Sequence, residues 1–254
     1  MNIIRVNVER EQMSEATKAL LSVIDSAGAE ETADLIREGA DVNAVIKEDE
    51  LWRGWTPLML AAKSNLKSKT VQILLAKGAN INASNESGWT PLMAAALTNP
   101  NPDVLNALIA GGADVNAVDK YGMTPLMCAA SNNQGIDILR ALVRSGAYIN
   151  ASIKSDGLFP WQTPLMFAAE KCSKPDVLKF LIDSGANVNT FDKHGKTPLM
   201  FAAEKNPNPE ILRLLADRTL NVAFRDASGK RALDYAEKNE ALKNTDAYNL
   251  LLKK

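Results

Sequence analysis

At 254 residues the chain can hold one large domain or two of ordinary size, and 46% hydrophobic with 23% charged content is the composition of a folded globular protein. Its 29 basic and 30 acidic residues leave a net charge of −1 and a pI near 6.0. That balance gives no global pull toward phosphate backbones or anionic lipid, so nucleic acid is not the expected partner.

No apolar run approaches the ~20 residues of a membrane-spanning helix, and the opening "MNIIRVNVEREQ" has no signal-peptide core. Cys128 and Cys172 make neither a disulfide framework nor a zinc-site spacing. Two reduced thiols in a cytoplasmic protein are expected; an exported chain that had lost its leader would read the same.

In chain order, "ATKALLSVIDSAGAEETADLIREGADVNA" reads as a helix pair in a first unit spanning 14–53. That unit ends in an odd loop, "IKEDELWRGW", beginning at Ile46. Next comes "TPLM" at Thr56, which recurs at Thr90, Thr124, Thr163 and Thr197 with spacings of 34, 34, 39 and 34 residues. A worn copy, "RALD", starts at Arg231. A second signature, Gly-Ala-x-(Val/Ile)-Asn, ends at Asn43, Asn82, Asn116, Asn150 and Asn189. Internal repetition at such a period is the mark of a stacked-repeat architecture. The units are 54–87, 88–121, 122–160, 161–194 and 195–228, with a charged terminal unit at 229–254.

Each unit predicts two short helices. Threonine can cap the first, and the proline after it sits where a helix has no use for an N–H. "LMLAA" then offers a small-residue face for close packing. Pro102, Pro175 and Pro209 open the second helix, each followed by an acid suited to the helix dipole. Apolar residues at helical spacing follow, as with Val104, Leu105, Leu108 and Ile109. Gly112 or Gly185 closes that helix. The remainder, "ADVNAVDKYGM", suits a turn or hairpin. So small a helix pair cannot bury its apolar face alone and must stack on its neighbours, with polar terminal units acting as caps.

The unit resembles the ankyrin repeat, Thr-Pro-Leu-His-x-Ala-Ala followed by Gly-Ala-Asp-Val-Asn, over about residues 14–254. Two departures stand out. The period is 34 rather than the family's 33, and Met59, Met93, Met127, Met166 and Met200 replace the histidine, substituting apolar packing for a hydrogen bond. The resemblance implies an all-α solenoid of about seven helix-turn-helix units with short β-hairpin-like loops. It also implies a non-catalytic protein-protein interaction scaffold without cofactor or metal.

Little in the residues points to catalysis. The single histidine, His194, falls in an exposed tip, and no nucleophile shares its register. Cys128 takes a core position, and "GKR" at Gly229 lacks the rest of a phosphate loop. The recurrent asparagines are explained by tolerance of tight turns.

The resemblance places a partner protein or peptide on the concave face, against the tips, the residue before each Thr-Pro and the exposed end of the first helix. The expected contact residues are Trp52, Trp55, Trp89, Tyr121, Met123, Leu158, Phe159 and Trp161. Trp55 and Trp89 are expected to face water, because Met123, Gln162 and Lys196 fill the same position elsewhere. Trp52 and Phe159 hold equivalent places in the two lengthened loops, "IKEDELWRGW" and "IKSDGLFPWQ", which lie three whole units apart as duplication of a three-unit block would leave them. These loops either grip a partner or fold back on their own repeats. The same apolar stripe could instead serve self-association, giving a monomer or weak homodimer.

Overall fold

The computed structural model describes residues 13–47, 49–64, 67–132, 135–153 and 161–253. The chain divides into two compact units, Met1–Lys120 and Tyr121–Lys254. The first contains α1 (Glu15–Val23), α2 (Ala29–Arg37), α3 (Pro57–Ser64), α4 (Ser68–Ala76), α5 (Pro91–Thr98) and α6 (Pro102–Ala110). The second contains α7 (Pro125–Ser131), α8 (Ile136–Arg144), α9 (Pro164–Lys171), α10 (Pro175–Asp183), α11 (Pro198–Lys205), α12 (Pro209–Ala216), α13 (Ala232–Ala236) and α14 (Asp246–Lys253). Among the described residues there is no strand.

The Thr-Pro-Leu-Met motif sets the start of each inner helix. The hydroxyl oxygens of Thr90 and Thr124 accept from the main-chain N–H of Met93 and Met127 at 3.3 Å, with proline at the first helical position. Thr56, Thr163 and Thr197 do the same for Met59, Met166 and Met200. Each such cap is worth about 1 kcal/mol. At the worn copy Arg231 has no hydroxyl, and the Asp234 carboxylate instead accepts the Arg231 main-chain N–H at 2.7 Å. That bond, with the nearby guanidinium, holds the Asp234 carboxyl below the usual range despite some desolvation.

Within each unit the helices form two rows. In the first, α1, α3 and α5 pack in succession, with α2, α4 and α6 beside them. In the second, α7, α9, α11 and α13 form the inner row and α8, α10, α12 and α14 the outer. The central turns of α3, α5 and α9 have no polar side: Leu58 through Ala62, Leu92 through Ala96 and Leu165 through Ala169 are all buried. The five motif methionines lie fully inside, as does Cys128, so thioether packing stands where a histidine was displaced.

Within each unit, two sets of asparagines tie repeats to their neighbours. Asn43 accepts from Asn80 N–H at 2.7 Å and donates to the Gly78 carbonyl at 2.9 Å. Asn82 bonds Asp114 and Gly112 in the same way, and Asn150 bonds Asn187 and Gly185. These asparagines do sit in tight turns, closed by bonds such as Ala44 N–H to the Asp41 carbonyl and Ala83 N–H to the Asn80 carbonyl, and their amides reach beyond the turn as well. None has a left-handed backbone; among the described residues Trp161 and Asn244 are the non-glycine residues that do. In addition to the turn, one asparagine amide serves an N–H and a carbonyl of the following repeat together. The second set is buried at Asn99 and Asn206 and half-buried at Asn239. Asn99 Nδ2 donates to the Ala62 carbonyl at 2.9 Å, Asn206 Nδ2 to Ala169 and Cys172, and Asn239 Nδ2 to Ala203 and Asn206. The carbonyls of Ala62, Ala169 and Ala203 belong to the last turns of α3, α9 and α11, which have no acceptor-satisfying N–H within their own helix. The neighbouring repeat supplies it.

Candidate partner-binding surface

The tips between repeats follow one rule with two exceptions. In the short tips an Asn or Asp side chain clasps the turn. Asn85 accepts from Ser87 and Trp89 N–H at 2.9 and 3.0 Å, Asp192 from His194 and Lys196, and Asp226 from Ser228 and Lys230. In both lengthened loops that position holds an isoleucine, Ile46 or Ile153, and each side chain is completely buried. The Ile46 N–H donates to the Trp55 carbonyl at 3.0 Å and its carbonyl accepts from Gly54 at 2.8 Å. Ile153 pairs likewise with Gln162 and Trp161. The insertion thus exchanges a polar clasp for an apolar anchor (a role sequence reading missed, although the shared register with Asn85 and Asp192 carries it).

Above the first anchor, Asp49 accepts from the N–H groups of Leu51 and Trp52 and turns the loop back. Trp52 comes to rest edge-on against Trp55, with ring centroids 4.8 Å apart and planes at 88°. The fold-back arrangement is the one adopted here. Leu51 at the outer bend is 83% exposed. In the second loop, Leu158 and Phe159 lie outside the described residues.

Trp55 does not face water: it is 9% exposed. The inference from lysine at the equivalent position fails because Lys196 is itself only half-exposed. Its ammonium lies 4.4 Å over the Tyr235 ring and pairs with Glu204 at 2.9 Å, its apolar stem lying inward. Gln162 is buried too, with its Oε1 accepting no hydrogen bond among the described residues. Trp89 and Met123 are half-buried, and Tyr121 is 43% exposed.

Trp52, Trp55 and Trp89 are brought together. They line an open cleft of about 270 Å³ with Ala94 and Leu97 from α5 and Lys63 from the end of α3. The Lys63 ammonium lies 4.9 Å above the Trp52 ring. Tyr121, Met123 and Trp161 belong to the second unit. There Lys205 at the end of α11 pairs with Glu170 near the end of α9 at 3.0 Å, and Lys196, in the tip before α11, pairs with Glu204. Exposed pairs of this kind contribute ~0–1 kcal/mol each.

Trp161 stands where other tips place glycine. Gly54, Gly88, Gly122, Gly195 and Gly229 all have φ between 77° and 84°, and Trp161 has φ 61°. A left-handed backbone costs a residue with a Cβ ~1–2 kcal/mol. Trp161→Gly is therefore expected to be more stable than Trp161→Ala by about 1 kcal/mol, the reverse of the usual order. Chemical denaturation of the two variants checks this, and alanine proving the more stable would refute the strain.

A family model described as ankyrin repeats (3 copies) matches residues 20–119, 67–153, 98–192 and 165–254. Among solved structures, the human ASB11 ankyrin repeat domain is similar over 94% of this chain and 97% of its own, with a TM-score of 0.73 and 26% identity. No curated protein sequence matches. The chain belongs to the ankyrin repeat family, and its fold is the all-α ankyrin solenoid. Ankyrin repeats are in general protein-protein interaction modules. Among the described residues no helix is long and apolar enough to cross a membrane.

Proposed function

We propose that this chain is a non-catalytic scaffold that binds a partner protein or peptide, with the Trp52–Trp55–Trp89 cleft as its principal contact. One observation carries the reading: three indole side chains from adjoining repeats line one open cleft. Trp52 is only half-buried there, so the loop leaves aromatic area available rather than sealing it into the core. A buried aromatic removes ~150–250 Å² from water, and interfaces concentrate their energy in a few such anchors. The buried thiols of Cys128 and Cys172 fit a reducing compartment.

Selection of a displayed peptide library on the immobilised chain tests this. Ligands so obtained should lose about 30-fold or more in affinity, the ~2 kcal/mol of a hot spot, on the Trp52→Ala/Trp89→Ala double variant. Both residues are half-buried, so the variant should stay folded by circular dichroism. Selected peptides that bind the folded double variant undiminished would place the contact elsewhere. Light scattering over a concentration range separates this outcome from self-association of the same stripe.

A further inference from the structure

The cleft has a charge character that the aromatic residues alone do not explain. Lys63 projects from the last turn of α3 over the Trp52 face, and its ammonium has a hydroxyl neighbour, Ser64 Oγ at 3.4 Å. Among the described residues no carboxylate comes within ion-pairing distance of it, and none lines the cleft. The π-face that would welcome a cationic guest is therefore already taken, and a second cation would meet Lys63 at close range. A carboxylate would instead find an ammonium that has no carboxylate partner among the described residues, beside a low-dielectric wall. The cleft, at about 270 Å³, is slightly below the size of a drug-sized ligand site and suits a single large side chain.

Resting on the reading of this cleft as the partner contact, we infer that its occupant is a peptide segment of a partner protein presenting one large apolar side chain flanked by Asp or Glu. The apolar residue enters between Trp52, Trp55 and Trp89 against Ala94 and Leu97, and a flanking carboxylate meets Lys63. The Trp52–Trp55 edge-to-face pair holds two walls in place before the guest arrives, which reduces the ordering cost of binding.

The test uses the full chain with ¹⁵N-labelled tryptophan and follows its four indole N–H resonances, assigned through single Trp→Phe variants. Three capped probe peptides are titrated: Gly-Glu-Phe-Glu-Gly, Gly-Lys-Phe-Lys-Gly and Gly-Glu-Ala-Glu-Gly. The acidic phenylalanine peptide should shift Trp52, Trp55 and Trp89 while leaving Trp161 in place. The basic peptide should bind roughly threefold more weakly or worse, the range an exposed ion pair supplies. Lys63→Gln should level the two affinities and Lys63→Glu should invert them.

If the basic peptide binds wild type as well as the acidic one does, with the same three resonances moving, the charge assignment is overturned and the aromatic contact stands. If the phenylalanine and alanine peptides are indistinguishable, or if Trp161 moves as far as the others, the aromatic contact falls as well.

Discussion

Trp55→Ala is expected to lower the unfolding free energy by about 3 kcal/mol, at the lower end for truncating a buried tryptophan. The ring is 9% exposed and serves as the surface on which Trp52 rests. Removing it deletes its own packing and also the support of the lengthened loop. Urea denaturation followed by circular dichroism measures the loss. Trp89→Ala, from the half-buried equivalent position one repeat on, should cost distinctly less and act mainly on binding. A Trp55→Ala loss below about 1 kcal/mol would mean that Trp55 contributes to the surface and not to the core.

Asn206→Ala should be at least as damaging locally, at about 3 kcal/mol. Asn206 is 1% exposed, its Nδ2 donates to the carbonyls of Ala169 and Cys172, and its Oδ1 accepts from Asn208 N–H. Alanine leaves those buried main-chain groups unmet, and each such group costs ~1–3 kcal/mol. Amide hydrogen exchange should show the effect spreading from α11 and α12 to α9, whose last turn Asn206 caps. Exchange confined to the immediate neighbours of residue 206, with global stability unchanged, would mean that the carbonyls find other donors.

The difference between these residues and the motif explains what could be read in advance. Thr90, Pro91 and Met93 act on one another within a single turn, so their spacing announces a helix start without reference to anything distant. The same is true of the glycines that end the second helices. Trp55 depends on its surroundings. The position it occupies takes lysine in another repeat because a long side chain can bury its stem and carry its charge outward, so tolerance of Lys196 said nothing about depth. Asn99 and Asn206 act across about one repeat length, and their amides serve helix ends that local patterns do not connect to them. The tryptophan cleft was half legible: its three indoles follow from register, whereas the placement of the Lys63 charge over Trp52 follows from the path of the loop.

The isoleucine anchors bear on how such a chain can change over time. Ile46 holds the base of its loop by main-chain bonds to Gly54 and Trp55 and by a side chain sunk in the core. Neither attachment consults the identity of the residues between. The outer bend at Leu51 is therefore a place where sequence can drift, or be exchanged wholesale, with the repeats on either side left intact. Fold and loop sequence are separable at that point: the anchor holds the base of the loop, and the bend above it can vary without disturbing the repeats.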